Sequence, residues 1–157
     1  MTFDTATTKE YTFVVIPKFD KRGNLPPGIH RASWKDICTR FGTTNHRSKL
    51  LEGLKRALDE LKQAGCIKVY LDGSFVTVEQ HPNDYDACWE VDNIDPEKLD
   101  KVLLDVEWHR ERIKEKYLGD VLPNLPRSPR RNLLWLFQND RDGNRKGIIA
   151  IDLRELP

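Results

Sequence analysis

The 157 residues suit one domain with a real core, and 26 Lys and Arg against 25 Asp and Glu leave a formal net charge of +1. With 32% charged residues of both signs mixed along the chain, the global basic footprint of a dedicated nucleic-acid binder is absent. The longest apolar runs, "FVVI" and "GIIAI", are far too short to span a bilayer, and "MTFDTATTKEYTF" has no basic head followed by an apolar segment. The expectation is a cytoplasmic protein without a membrane partner. Its scattered cysteines, Cys38, Cys66 and Cys88, lie in no CxxC and read as small core residues.

Residues 1–10 are polar and expected to be flexible. Phe13 to Ile16 reads as a short strand, and "DKRGNLPPGIH" as a connector in which Pro26 and Pro27 exclude helix. Ser33 is placed to cap a short helix carrying Trp34, Ile37 and Phe41, which Gly42 ends. Thr44 then caps a long helix, Asn45 to Ala64. Its Leu50, Leu51, Leu54, Ala57, Leu58 and Leu61 recur at three- and four-residue spacing as one apolar stripe. In "CIKVYLD", Ile67, Val69 and Leu71 alternate with Lys68 and Tyr70, the pattern of a strand.

Gly73 and Ser74 follow. "NDYDACWEV" alternates again, with Asp84, Asp86, Cys88 and Glu90 on one side and Tyr85, Ala87, Trp89 and Val91 on the other. Asp95 and Pro96 predict the start of a helix buried through Leu99, Val102, Leu103, Val106 and Ile113. "EKYLGDVLP" is short enough for a third strand, "NLPRSPR" is a loop, and Arg131 to Gln138 a short helix. "NDRDGNRKG" is a turn and "GIIAIDL" a final strand. A calcium loop at "NDRDGN" fails, because Ile149 falls where such a loop needs Glu. The histidines His30, His46, His81 and His109 show no paired metal spacing. The order of elements predicts a single α/β (α+β) domain over 1–157, a mixed sheet with flanking helices.

The chemistry concentrates in "YLDGSFVTVEQHPNDYD". A glycine at a strand end lets the backbone approach a bulky anion, and the Ser74 hydroxyl adds a donor, which suits a triphosphate. Asp84 and Asp86, two residues apart on a strand, can share hard divalent ions that also take phosphate oxygens. A third carboxylate on a neighbouring strand completes such a site, and Asp120 in "YLGDVLP" is the candidate; Glu90 lies too far along its own strand.

"LDGSF" followed by "PNDYD" resembles the polymerase-beta-like nucleotidyltransferase superfamily over residues 45–122. The resemblance is nearest to the minimal nucleotidyltransferases of bacterial toxin–antitoxin and phage-defence pairs. "LPPGIH", "YLDGSFVT" and "DRDGNRKGIIAIDL" resemble a bacterial family of short, uncharacterised nucleotidyltransferase-like proteins. The resemblance implies a nucleotidyltransferase-like fold and transfer of a nucleoside monophosphate from an NTP to a protein or RNA hydroxyl. It implies Mg2+ or Mn2+ on Asp84, Asp86 and Asp120, phosphates on Gly73 and Ser74, and a cognate toxin or antitoxin partner. The alternative is an inactive binding, antitoxin or nucleotide-sensing module. One departure stands out: "FVTVEQ" follows Gly-Ser where the minimal enzymes carry a basic or small residue and another glycine.

Overall fold

A computed structural model describes residues 15–104 and 106–157, without the side chains of 106, 108 and 109. The expectations for residues 1–10, for Phe13 and Val14, and for burial of Val106 lie outside the described residues. Val15 and Ile16 carry no strand.

Ser33 accepts a hydrogen bond from the Asp36 N–H, and Thr44 one from the Arg47 N–H. These caps start α1 (Trp34–Phe41) and α2 (Asn45–Gln63) where the sequence places them. Every member of the leucine stripe of α2 is buried in the main core, together with Ile37, Phe41, Val69, Leu71, Tyr85, Ala87 and Trp89. Gly53 interrupts the stripe for a steric reason. A Cβ there would stand 2.2 Å from the carbonyl oxygen of Tyr117, so α2 needs glycine to lie against the corner at Tyr117–Leu118.

Five strands form one mixed sheet: β1 (Gly28–Arg31), β2 (Lys68–Asp72), β3 (Asp86–Glu90), β4 (Asp120–Asn124) and β5 (Gly147–Asp152), in the order β1-β5-β2-β3-β4. β5 runs parallel to β1 and antiparallel to β2; β3 runs antiparallel to β2 and parallel to β4. With α3 (Val106–Tyr117) and α4 (Leu133–Phe137), the described residues hold four helices and an α+β fold. Among them no helix is long and apolar enough to cross a membrane.

Three expectations need correction. β1 emerges at the end of the expected connector; its four residues contain no apolar run, and among the described residues β5 is the strand that orders it. The helix expected from Pro96 starts ten residues later, at Val106. Asp95 accepts from the Glu97 N–H in a local turn, and Asp100 accepts from the Val102 N–H to open a separate 3-10 turn, Lys101–Leu103. Local carboxylate turns thus replace the first helical turns. The third strand begins only at Asp120, because α3 continues to Tyr117 and Leu118 turns the chain at φ +66°.

The two faces of the sheet differ. The first carries the main core. The second holds a smaller apolar cluster of Tyr70, Cys88, Ile148 and Ala150, covered by Leu133, Leu134 and Phe137 of α4 and its first turn. Cys66 and Cys88 are buried free thiols, and burial pushes Cys66 up to about 12.

Candidate functional site

Strand register brings the acidic residues together. Asp72 at the end of β2 faces Asp86 at the start of β3, and Asp86 pairs in turn with Asp120 at the start of β4. Neighbouring strands lie about 4.8 Å apart, so three carboxylates form a row across three adjacent strands on the second face. Asp84 precedes β3 by two residues and approaches the same group through Lys114, whose Nζ is 3.4 Å from Asp84 and 3.9 Å from Asp120.

Gly73 makes the turn out of β2 at φ +90°, and a Cβ at that position would stand 2.7 Å from Oδ2 of Asp86. Only glycine fits this backbone beside that carboxylate. Ser74–Val76 is a single 3-10 turn rather than a longer helix. What holds the following loop is Arg47 of α2, a buried guanidinium that donates to the carbonyls of Phe41, Phe75, Thr77 and Glu79. Gly73 and Ser74 are partly exposed at the head of this loop, next to the carboxylate row.

Each carboxylate has a different electrostatic setting. Asp72 is buried and paired with Lys146; burial raises its pKa and the lysine offsets part of that rise. Asp120 accepts two bonds from Arg110, Nε to Oδ1 at 3.2 Å and Nη2 to Oδ2 at 2.9 Å. Asp86 is pushed up to about 6, first by burial and then by the charges of Asp120, Asp72 and Asp84. Burial and its acidic neighbours both oppose its ionised form, so it holds its proton to a higher pH than a free carboxyl.

The structure therefore gathers all five residues expected from sequence: Gly73, Ser74, Asp84, Asp86 and Asp120. It also adds four that sequence reasoning missed. Asp72 stood in plain view before Gly73, and its position opposite Asp86 was the available signal. Arg110 and Lys114 are one helical turn apart on α3, a spacing that aims both at one strand end. Lys146 gave no local sign. Glu90 takes no part, since it accepts the Tyr70 hydroxyl at 2.8 Å. His81 stacks on His46 with ring centroids 4.0 Å apart, and His46 lines a pocket together with Asp84 and Lys114.

The donors in the row are all hard oxygens, the kind magnesium takes. As placed, however, no group of three or more His, Cys, Asp or Glu among the described residues could hold a metal ion. Arg110 and Lys114 occupy Asp120 and Asp84 instead. The residue types fit the ion; the present side-chain pairing does not yet present them to it.

No curated protein and no solved structure matches the chain. The family described as "Family of unknown function (DUF6932)" matches residues 17–152, and the chain belongs to that family.

Proposed function

We propose that the chain is a nucleotidyltransferase acting at the Asp72–Asp86–Asp120 row. The observation that supports this most is register: Asp86 and Asp120 are paired across β3 and β4, directly beside the glycine turn that leaves β2. A triphosphate would lie at Gly73 and Ser74, with Asp84, Asp86 and Asp120 as oxygen donors for Mg2+ or Mn2+. When bound, that ion would neutralise charge on the phosphates. The chain's own residues do the rest. Gly73 allows the close approach, Arg47 fixes the loop, and Asp120 accepts the proton of the attacking hydroxyl. Lys146 holds Asp72 in place at the edge of the site. Arg110 and Lys114 supply positive charge within reach of both carboxylates and phosphates.

The test is incubation with each labelled NTP, magnesium or manganese, and lysate from cells. Label should appear on an acceptor and pyrophosphate should be released, and both should disappear in Asp86→Asn. No product with any NTP, from a chain that remains folded, overturns the reading. A second reading is favoured by the Arg110–Asp120 pair: a module that binds nucleotide without transferring it. Magnesium-dependent NTP binding without pyrophosphate release would select it.

A further inference from the structure

The acceptor side of the site has its own surface. A cleft of ≈380 Å³ is lined by Arg110, Arg130 and Arg131 together with Leu122, Pro123 and Leu133. Arg110 belongs to both the cleft and the site, because it holds Asp120 through two hydrogen bonds. The cleft thus opens at the end of the carboxylate row opposite Gly73. Glu107 also lines it and pairs with Arg131 at 2.6 Å, leaving the lining with a cationic excess.

The loop before α4 reinforces that charge. It is closed by bonds from the N–H of Leu125 to the carbonyl of Arg131 and from the N–H of Arg131 to that of Ser128. This folded loop displays Arg127, Arg130 and Arg131 to solvent. Trp135 follows in the first turn of α4, its backbone N–H donating to Asn132, and the residue is 60% exposed. Trp135 does not line the cleft, but it lies two residues beyond Leu133, which does, so an exposed stacking platform and an electrostatic track share one short helix and the loop before it. Proteins that hold single strands use this combination.

We infer that the acceptor is a single-stranded nucleic acid ending in a 3′-hydroxyl, its last phosphates held by Arg127, Arg130 and Arg131 and a base stacked on Trp135. This rests on the transferase reading for its chemistry, not for its binding. A 3′ end carries a phosphate within one nucleotide of its terminal hydroxyl, which explains cations flanking the carboxylate that deprotonates it. In the step, the 3′ oxygen forms a bond to the α-phosphorus of the NTP. The bond from that phosphorus to the bridging oxygen breaks, pyrophosphate leaves with the electron pair, and the hydroxyl proton passes to Asp120.

The experiment has two arms. In the first, without nucleotide, fluorescent single-stranded RNA and DNA of the same mixed sequence are titrated with the full chain at several salt concentrations. Binding should weaken with salt, and Arg127→Ala with Arg130→Ala should reduce the slope of log affinity against log salt by about 1.4. Trp135→Ala should weaken binding about tenfold or more at every salt concentration. Circular dichroism confirms that these surface variants fold. No binding to either strand, or binding the variants leave unchanged, overturns the inference. In the second arm, labelled NTP and magnesium are added with RNA, DNA and lysate protein. Label on a nucleic-acid 3′ end supports the inference, and RNA against DNA identifies the strand. Label on protein alone overturns it and leaves the transferase reading intact. No label anywhere, with arginine-dependent strand binding in the first arm, overturns the transferase reading while upholding the nucleic-acid surface.

Discussion

β3 faces two different interiors. On one side Ala87 and Trp89, with Tyr85 before them, are buried in the core that the leucine stripe of α2 completes. On the other, Asp86, Cys88 and Glu90 run from a carboxylate row through a small apolar patch to a tyrosine hydrogen bond. The first face is held by area removed from water and does not depend on pH. The second is held by pairing charges that burial would otherwise expel, and one of them, Asp86, has only the charge of Lys114 to set against burial and three neighbouring carboxylates. A surface optimised only for stability would not collect Asp72, Asp84, Asp86 and Asp120 at adjacent strand ends. The contrast separates what folds the chain from what the folded chain is for.

The sharpest way to break the comparison is a matched pair of deletions. Lys146→Ala removes the partner of buried Asp72 and should cost about 4 kcal/mol at pH 7. Leu54→Ala, at a fully buried position of the stripe, should cost about 3 kcal/mol. Denaturant unfolding at two pH values tells the faces apart. The lysine variant's deficit should shrink as Asp72 is protonated in acid, whereas the leucine variant's deficit stays constant. Equal deficits at both pH values would mean that Asp72 and Lys146 are not an ion pair in solution.

Asp86→Asn should act in the opposite direction, stabilising the chain by about 1–2 kcal/mol at pH 7, and under the proposed function it should also abolish label transfer. The sign follows from its raised pKa. The folded chain holds the Asp86 proton more tightly than the unfolded chain does, so this stabilisation is complete below about pH 4 and lost as the pH rises through about 6. The melting-temperature gap between variant and parent should therefore open over that interval and be flat above it. A gap independent of pH would remove Asp86 as the strained member of the row.

The smallest stability effect belongs to Arg110→Gln. Its side chain is 58% exposed against 8% for Asp120, so the variant leaves a buried carboxylate with Lys114 at 3.9 Å, at a cost of about 1 kcal/mol. Freed from the guanidinium, Asp120 should respond more strongly to magnesium. The thermal shift on adding magnesium should be larger in this variant than in the parent, and an unchanged shift would place Asp120 outside any ion site.

What the sequence made legible depended on how far a residue's partner lies from it. The stripe of α2, its Thr44 cap and the alternation around Asp86 are local patterns, and all appear in the structure. Asp120 is legible because "EKYLGDVLP" reads as the next strand after the one that carries Asp86. Lys146 is not, since its partner is 74 residues away and nothing near it in the chain hints at a buried charge. β1 was lost for the same reason: its order comes from β5, at the far end of the described chain. The helix at 96 failed for the opposite reason, because Asp95 and Asp100 form local turns that compete with helical bonds.

The place of β5 has a consequence for how the chain is made. It is the last strand in sequence, yet it lies between β1 and β2, which among the described residues are joined only through it. While the chain emerges from a ribosome, β1 has no partner and β2 presents an open hydrogen-bonding edge until residues 147–152 arrive. Such edges invite pairing with other chains. The Asp72–Lys146 lock also forms only then, as Lys146 immediately precedes β5. A chain interrupted before Gly147 would keep its leucine stripe and the residues of the β2-β3-β4 pairings, but would lack the strand that joins β1 to β2. The open edge of β2 is thus closed by these six residues, which join it to β1.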